Sequence, residues 1–265
     1  MLSGAIVVLI FGFLLIEALP LLRRVGVRII TDPLWHPAEG LYGMAPMIVG
    51  TLAVALGALL LATPLGIASA IFERHYAPAW VVLPYHGLIE LLAGIPSVVY
   101  GLWGLVVLVP AILRIHPPGA SLLAGILVLA LMILPTIALF TEAALRSVPE
   151  ETLQGAAALG LSRWATLRHV ALPTAAPGLA SGVLLGCGRA LGETMAVLMV
   201  CGNVVQAPTS LFDPIRTLTA NIALEMAYAT GDHRSALFIS GLLLMTIVAA
   251  LVLAAGQRRR GFPRG

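Results

Sequence analysis

The chain has 265 residues, of which 60% are hydrophobic and 10% are charged, and its formal net charge is +3. Because a soluble domain carries about 25% charged residues, this composition excludes a soluble protein and indicates one that is integral to a membrane. The chain contains Arg but no Lys. The absence of Lys excludes a Walker A loop, which needs a Lys for the nucleotide phosphates. We also expect no nucleic-acid partner, because basic residues in such a chain set its orientation in the membrane.

Six apolar runs, separated by polar segments, predict an all-α membrane protein with six transmembrane helices. We expect one transmembrane domain over residues 1–265, with a cytoplasmic loop at 141–174 and an outer loop at 202–234. The first run is predicted to be a retained helix, because it lacks the basic segment and the cleavage site of a signal peptide. The predicted spans are about 2–22, 44–72, 81–109, 121–140, 177–200 and 235–256.

The third run is irregular, because Gly and Pro residues interrupt it and Glu90 lies inside it. Such residues are tolerated at membrane depth where neighbouring helices or a cavity satisfy the freed backbone groups. We therefore interpret residues 91–101 as a kinked segment that lines a pathway. A proline kink that serves only helix packing explains the same residues equally well.

The loop at 141–174 is predicted to contain two short helices joined at Gly160, a residue type that suits the end of a helix. Ser162 is a suitable N-cap for the second helix, which Pro173 is expected to end. Three apolar residues fall at helical spacing on this second helix: Trp164, Leu167 and Val170. An exposed apolar stripe of this kind indicates a docking surface for another protein.

The fifth run contains Arg189 and Glu193, four residues apart and therefore on one face if the run is a continuous helix. Each charge costs roughly 2.5–3.5 kcal/mol at the centre of a bilayer, whereas an i,i+4 pair contributes only about 0.2–0.5 kcal/mol. Helix stability alone therefore does not explain them. They are either a buried ion pair that fixes packing, or an Arg that handles an anion with a Glu that modulates it.

The outer loop at 202–234 is predicted to include a surface helix, because apolar residues recur in it at helical spacing. These residues are Ile215, Leu218, Ile222 and Met226. If six spans alternate, the Arg residues of the tail at 257–264 lie on the same side as those of the 141–174 loop. The positive-inside rule then places this side and both termini in the cytoplasm. Arg23, Arg24 and Arg28, which then fall outside, favour the opposite orientation.

The 141–174 loop resembles the "EAA" loop of ABC-importer permeases, through Gln154 to Gly160 followed by Val170-Ala171-Leu172-Pro173. In that family the loop forms coupling helices that sit in a cleft of a cytoplasmic ATPase. Gln154 stands where the motif has Glu, so the neutral amide retains hydrogen bonding only. The resemblance implies a set of ATPase-coupling residues: Gln154, Gly155, Ala156, Gly160, Trp164, Leu172 and Pro173.

A second set of motifs resembles the PstC-type permeases of phosphate importers. Residues 188–197, with Gly202-Asn203 beyond them, look like the fifth span of that family. Residues 90–104 are similar to its third span, and residues 46–51 are similar to the start of its second span. The likeness extends from about Gly40 to the end of the chain.

The resemblance implies a type I ABC-importer fold and a permease subunit that moves inorganic phosphate across the cytoplasmic membrane of a prokaryote. The implied partners are a second permease of the PstA type, an ATPase dimer of the PstB type and an external phosphate-binding protein of the PstS type. ATP and Mg²⁺ would bind the ATPase. We expect no catalytic, metal or cofactor site in this chain. The implied pathway residues are Arg189, Glu193, Thr194, Glu90, Ser97 and Tyr100.

Within this set, Arg189 is expected to bind the anion, because a guanidinium matches phosphate oxygens geometrically. Glu193 is expected to hold Arg189 in place or to oppose tight binding. A permease for another oxyanion, such as sulfate or molybdate, is an alternative within the class. A secondary transporter would explain the carboxylates inside the spans, but it leaves the coupling-type loop unexplained.

Overall fold

The computed structural model describes the backbone of residues 2–260 and the side-chain environment of residues 4–253. Of the predicted basic tail at 257–264, residues 261–264 lie outside the described residues. The described chain is mostly helical, as predicted. The α-helices are α1 Leu2–Val25, α2 Arg28–Thr31, α3 Ala45–Ile71, α4 Ala79–Gly94, α5 Ser97–Trp103, α6 Val109–Leu113, α7 Leu122–Arg146, α8 Glu150–Ala158, α9 Arg163–Thr166, α10 Leu172–Gly192, α11 Met195–Val200, α12 Leu218–Glu225 and α13 Gly231–Arg260.

Short elements complete the described fold. Two antiparallel strands, β1 Trp35–His36 and β2 Leu41–Tyr42, flank a 3-10 turn at Pro37–Glu39. Three wide π-helical turns lie at Phe72–Tyr76, Gly104–Leu108 and Leu167–Ala171.

Five helical segments of the described chain are long and apolar enough to cross a membrane. They are Gly4–Val25, Ala45–Tyr76, Leu122–Arg146, Arg163–Gly192 and Gly231–Leu253. The bent pair Ala79–Gly94 and Ser97–Leu113 makes a sixth if it is counted as one broken span. The prediction of an all-α membrane protein is therefore confirmed, and the described chain agrees with six spans when the bent pair is counted as one.

The third run breaks where its proline motif lies. Helix α4 ends at Gly94, and both Ile95 (φ −64°, ψ 129°) and Pro96 (φ −59°, ψ 140°) are extended. A proline disfavours the helical conformation of the residue before it, so Ile95 leaves the helix and α5 restarts at Ser97. The predicted kinked segment is thus two helices separated by an extended pair of residues.

The prediction of one helix across residues 177–200 is wrong. Helix α10 ends at Gly192, Glu193 and Thr194 are not helical, and α11 begins at Met195. The carboxylate of Glu193 accepts a hydrogen bond from the backbone N–H of Ala196 (3.2 Å). A side chain that satisfies the free N–H groups of a new helix favours a helix start there over continuation of the previous helix. Arg189 and Glu193 are therefore not neighbours on one helical face.

The prediction that the second loop helix ends at Pro173 is also wrong, because the helical segment runs from Arg163 to Gly192. Proline has no N–H to donate, and its ring crowds the carbonyl of the residue four positions earlier. Here the wide π turn at Leu167–Ala171 precedes Pro173, and its larger radius leaves room for the ring. The hairpin and the fifth span are consequently joined without a break.

The chain forms two compact units. Among the described residues, the first contains 2–57, 96–129 and 191–254, and the second contains 58–95, 130–190 and 255–260. In the first unit, α12 is buried rather than lying on the surface as predicted: Leu218, Ala220 and Asn221 have no exposed surface. The first turn of α12 is hydrogen-bonded to α3: the hydroxyl of Thr51 accepts a hydrogen bond from the N–H of Leu218 (3.0 Å).

A ridge of glycines on α10 sets the packing of the second unit. Gly178, Gly182 and Gly186 recur every four residues and face α7, where a Cβ would meet Ala144, Phe140 and Ile137 respectively. At Gly182 the Cβ would lie 2.7 Å from the Cβ of Phe140, which is closer than real Cβ atoms approach. Small residues at this spacing let helix backbones come together inside a membrane, where no hydrophobic effect drives association.

We predict that Gly182→Ala lowers the thermal unfolding midpoint of the purified protein. Alanine favours a helix by about 1 kcal/mol over glycine, but forcing extra atoms into a close contact costs about 1–3 kcal/mol. The matched control is Gly188→Ala on the same helix, where a Cβ meets nothing within 4 Å. The midpoint of the control is expected to stay unchanged or to rise. Equal midpoints for both variants would show that the glycine ridge does not set the packing.

The segment before α12 folds back over the start of α7 within the first unit. The N–H of Leu122 donates to the carbonyl of Asp213 (2.9 Å), and the N–H of Leu123 donates to that of Leu211 (2.7 Å). The carboxylate of Asp213 accepts hydrogen bonds from the hydroxyl and the N–H of Thr209 and from the N–H of Ser210. The Thr209 hydroxyl, followed by these backbone donors, lowers the pKa of Asp213 below its ordinary value of 3.8.

We predict that this turn loosens in acid. Because the folded pKa of Asp213 is depressed, its contribution is complete above pH 3.8 and disappears as pH falls through the folded value. Hydrogen exchange at Thr209 and Ser210, corrected for intrinsic rates, should be slow at neutral pH and accelerate below pH 3.8. In Asp213→Asn, exchange should be faster at neutral pH and lose this acid dependence. An identical profile in the variant would contradict the assignment.

Candidate functional site

Arg189 lies in the last turn of α10 and is half-buried. Its guanidinium donates one hydrogen bond to the hydroxyl of Thr136 on α7 (3.1 Å). Thr136 is itself buried, and within their shared second unit no described carboxylate forms an ion pair with Arg189. A guanidinium has five N–H donors, so most of its donors are not used by this one bond. The position can therefore donate to an anion that comes close to it.

Glu193 belongs to the first unit and is engaged locally. Its carboxylate caps α11 through Ala196, and its backbone carbonyl accepts a hydrogen bond from the hydroxyl of Thr219 on α12 (2.9 Å). Thr194 follows it at the break, with a long contact from its hydroxyl to the carbonyl of Gly192 (3.4 Å). The structure thus assigns Glu193 a capping contact that the spacing of charges in the sequence did not predict.

Glu90 lies on α4 in the second unit, with a side chain that is 62% exposed. Its carboxylate is 3.4 Å from Nε2 of His86, one helical turn earlier. The other nitrogen of His86, Nδ1, is 2.7 Å from the carboxylate of Glu73, which is buried. The imidazole therefore bridges two carboxylates. The sequence analysis did not predict a role for His86 or Glu73. A His four residues before a Glu in an apolar helix could have indicated the contact between His86 and Glu90.

The other two predicted pathway residues of the third run lie in α5 of the first unit. Ser97 is the first residue of this helix and is half-buried, whereas Tyr100 is buried, with 8% of its surface exposed. The helix break therefore separates them in the chain from Glu90. Ser97, Tyr100 and Glu90 were predicted to line one pathway only because they lie close together in the sequence.

The predicted two-helix hairpin is present in the second unit. Helix α8 ends at Ala158, and Gly160 follows it with φ +75°, a left-handed conformation that favours glycine. The N–H of Leu161 donates back to the carbonyl of Ala156 (3.2 Å), which satisfies the end of α8. The hydroxyl of Ser162 accepts the N–H of Ala165 (3.2 Å) and caps α9. Both the turn residue and the cap are those predicted from the sequence.

The exposed surface of the hairpin differs from the predicted stripe. Leu167 is buried (1% exposed) in a cluster with Leu145 and Ala171, because the helix containing it packs against α7. The large apolar side chains that remain exposed at the tip are Leu159 (83%), Leu161 (40%) and Trp164 (57%). We call these three residues the apolar tip. Of the other predicted coupling residues, Gln154, Gly155, Gly160 and Pro173 are exposed, Leu172 is half-buried and Ala156 is buried.

A buried charge network in the first unit was missed from sequence. The carboxylate of Glu225, at the end of α12, accepts hydrogen bonds from Arg216 (2.6 Å) and from the indole of Trp35 (3.1 Å), and it lies 2.8 Å from His233. Arg216 and His233 lie 9 and 8 positions from Glu225, outside α12, and Trp35 lies 190 positions away, so the spacing of residues within one helix does not indicate these partners. With its charge matched in this way, Glu225 serves as an anchor for the fold.

Known proteins resemble this chain along most of its length. Residues 62–259 match the family described as "Binding-protein-dependent transport system inner membrane component". The chain is 43% identical over 233 residues to the "Probable ABC transporter permease protein YqgH" of Bacillus subtilis, covering 86% of this chain and 75% of that protein. It is 37% identical over 255 residues to the "Phosphate transport system permease protein PstC" of Xylella fastidiosa, covering 88% and 79% respectively.

Solved structures share the fold at lower identity. A chain of the methionine ABC transporter MetNI in inward-facing conformations matches with a TM-score of 0.64 and 20% identity, covering 87% of this chain and all of that one. A chain of a bacterial alginate ABC transporter matches with a TM-score of 0.64 and 15% identity, covering 96% of both. These likenesses establish the type I ABC-importer permease fold, while the family match and the relatives at 37–43% identity confirm the family resemblance drawn from the motifs. The chain therefore belongs to the binding-protein-dependent transport family, as one of its multi-pass inner-membrane permease components.

Proposed function

We propose that this permease moves inorganic phosphate into the cell, driven by ATP hydrolysis in a separate subunit. The observation that carries the proposal is the guanidinium of Arg189, which is half-buried and has a single hydrogen bond within its unit. The relatives named as phosphate permeases, at 37% identity over most of the chain, support phosphate as the substrate.

Phosphate carries one or two negative charges near neutral pH, and moving it through a region of little water requires a positive partner. A guanidinium offers two parallel donors that match two phosphate oxygens. Thr136 occupies one nitrogen of Arg189 and orients the group. A single contact between phosphate and Arg189 would be strong enough to admit the anion and weak enough to release it.

The other predicted pathway residues have lesser proposed roles. Neutral hydrogen-bond donors along the route are proposed to be Ser97, Tyr100 and Thr194. Glu90 is proposed to be a fixed negative charge that His86 partly balances.

Two roles were predicted for Glu193: to hold Arg189 in place, or to oppose tight phosphate binding. We propose the second role, because the two residues are not neighbours on one helical face. A carboxylate near an anion route shortens the time that the anion stays bound.

We propose that the energy enters through the hairpin of α8 and α9. The apolar tip of Leu159, Leu161 and Trp164 would dock into a PstB-type ATPase dimer, which would bind ATP and Mg²⁺. Exposed apolar side chains at a hairpin tip gain free energy when a partner covers them. A PstA-type permease and an external PstS-type phosphate-binding protein would complete the transporter. Both termini would lie in the cytoplasm, and the access route would alternate between the two sides.

We predict that Arg189→Gln abolishes phosphate uptake while the complex still assembles and binds ATP. Removing one partner of a desolvated charge contact costs about 2 kcal/mol or more, which corresponds to a loss of at least about 30-fold. Uptake of radioactive phosphate into proteoliposomes measures it, with sulfate and molybdate as competitors to test specificity. The matched control is Arg168→Gln, which removes an exposed Arg from α9–α10 and should leave uptake intact. Wild-type uptake by the Arg189 variant would remove this residue from the mechanism.

We predict that Gly160→Asp uncouples the permease from its ATPase. The substitution strains a turn at φ +75° and places a charge between two residues of the apolar tip, where docking would have to desolvate it. Phosphate-stimulated ATPase turnover of the purified complex is the measurement. Gly160→Asn is the matched control, because Asn tolerates this backbone conformation without the charge. Normal turnover in the Asp variant would exclude the hairpin as the coupling element.

A further inference from the structure

A second candidate site lies beside the hairpin, and its charged side chains take no part in the proposed transport route. A cavity of about 450 Å³ opens between the π turn that ends the second span and the helices α8 and α9, all within the second unit. Small-molecule sites in proteins typically have volumes of about 300–1,000 Å³, so this cavity is large enough for a small ligand. Its polar lining comes from Arg74, His75, Tyr76, Arg163 and Thr166.

The charge of this lining is entirely positive. No carboxylate is among the residues that line the cavity. Arg74 and Arg163 form no ion pair or side-chain hydrogen bond within the described part of their unit, whereas Arg146 in the same unit pairs with Glu142 at 3.0 Å. Two guanidiniums at one cavity repel each other unless an anion lies between them. The charged part of the lining therefore suits an anion, while its apolar part is formed by Leu153, Ala157, Leu161 and Leu167.

His75 adds a second, independent observation. Its Nε2 atom is buried and has no hydrogen-bond partner among the described residues. Buried polar atoms are nearly always hydrogen-bonded, and each exception calls for an explanation. Water does not reach this atom in the present conformation, so a ligand oxygen in the cavity that His75 lines would accept a hydrogen bond from the protonated nitrogen once the imidazole turns toward the cavity.

We propose that this cavity binds a phosphate group through Arg74, Arg163 and His75. A tetrahedral phosphate presents several acceptor oxygens, so it can accept from two guanidiniums and one imidazole at once. Two sources have this chemistry: free inorganic phosphate and the phosphate of an anionic lipid headgroup, since basic pockets at the ends of membrane helices bind such headgroups. The bound anion would link the end of the second span to the docking hairpin and hold the hairpin in one position. The site uses other side chains than Arg189, and it stands whether or not this chain carries phosphate across the membrane.

The test measures thermal unfolding of the full chain in nanodiscs. In neutral phosphatidylcholine, inorganic phosphate should raise the unfolding midpoint saturably for the wild-type chain. Arg163→Gln and Arg74→Gln should weaken this response at least about tenfold in phosphate concentration. Arg168→Gln, an exposed Arg on the same helical segment that does not line the cavity, is the matched control. Because a variant can be unstable for other reasons, equilibrium dialysis with radioactive phosphate measures binding to the folded variants directly.

The lipid arm replaces phosphatidylcholine by phosphatidylglycerol in chloride buffer. A rise in the midpoint that Arg163→Gln removes and Arg168→Gln keeps would identify the lipid headgroup as the ligand and support the proposal. Equal responses of Arg163→Gln and Arg168→Gln to both probes would overturn it. Loss of the phosphate response in Arg189→Gln with no change in Arg163→Gln would also overturn it, while leaving the proposed transport function supported.

Discussion

The cost of placing the charge of Arg189 in a membrane helix constrains much of this fold. Insertion of an Arg at mid-bilayer costs roughly 2.5–3.5 kcal/mol, and the hydrogen bond to Thr136 offsets only part of that cost. That bond requires α7 and α10 to lie close together. The glycines at positions 178, 182 and 186 permit this distance, because any larger residue would meet α7. The packing of the second unit and the chemistry of its Arg are therefore set by the same contact.

The two positively charged features of the second unit differ in how they are held. Arg189 is oriented by a neutral hydroxyl on a neighbouring helix, which leaves most of its N–H donors unused within its unit. Arg74 and Arg163 are exposed residues that converge on one cavity beside the hairpin. Convergence of like charges is unfavourable without an anion, whereas a single oriented charge is tolerable. On the two proposals above, Arg189 would therefore bind its anion transiently, whereas the cavity would retain its anion.

Local chemistry explains which features could be predicted from sequence. The apolar lengths of the spans, the turn at Gly160 and the cap at Ser162 depend on neighbouring residues, and the structure contains all three. The break after Gly192 could not be predicted in this way, because the capping contact of Glu193 competes with helix continuation only when α11 is in place. The contact between Glu225 and Trp35 could not be predicted for a different reason, since Trp35 is 190 positions away in the chain. Leu167 is likewise buried because its helix packs against α7. The helical spacing of the apolar residues alone could not show this packing and indicated an exposed stripe.

The unbroken helical segment from Arg163 to Gly192 has a mechanical consequence. Arg163 and Arg189 are 26 positions apart on it, which at 1.5 Å per residue is a distance of about 40 Å. The wide turn at Leu167–Ala171 keeps the segment continuous past Pro173, and the glycine contact fixes α10 to α7 along much of its length. In the proposed transporter, a displacement of the hairpin would therefore pass along this continuous helical segment. The segment would connect the docking hairpin at one end to the guanidinium of Arg189 near the other.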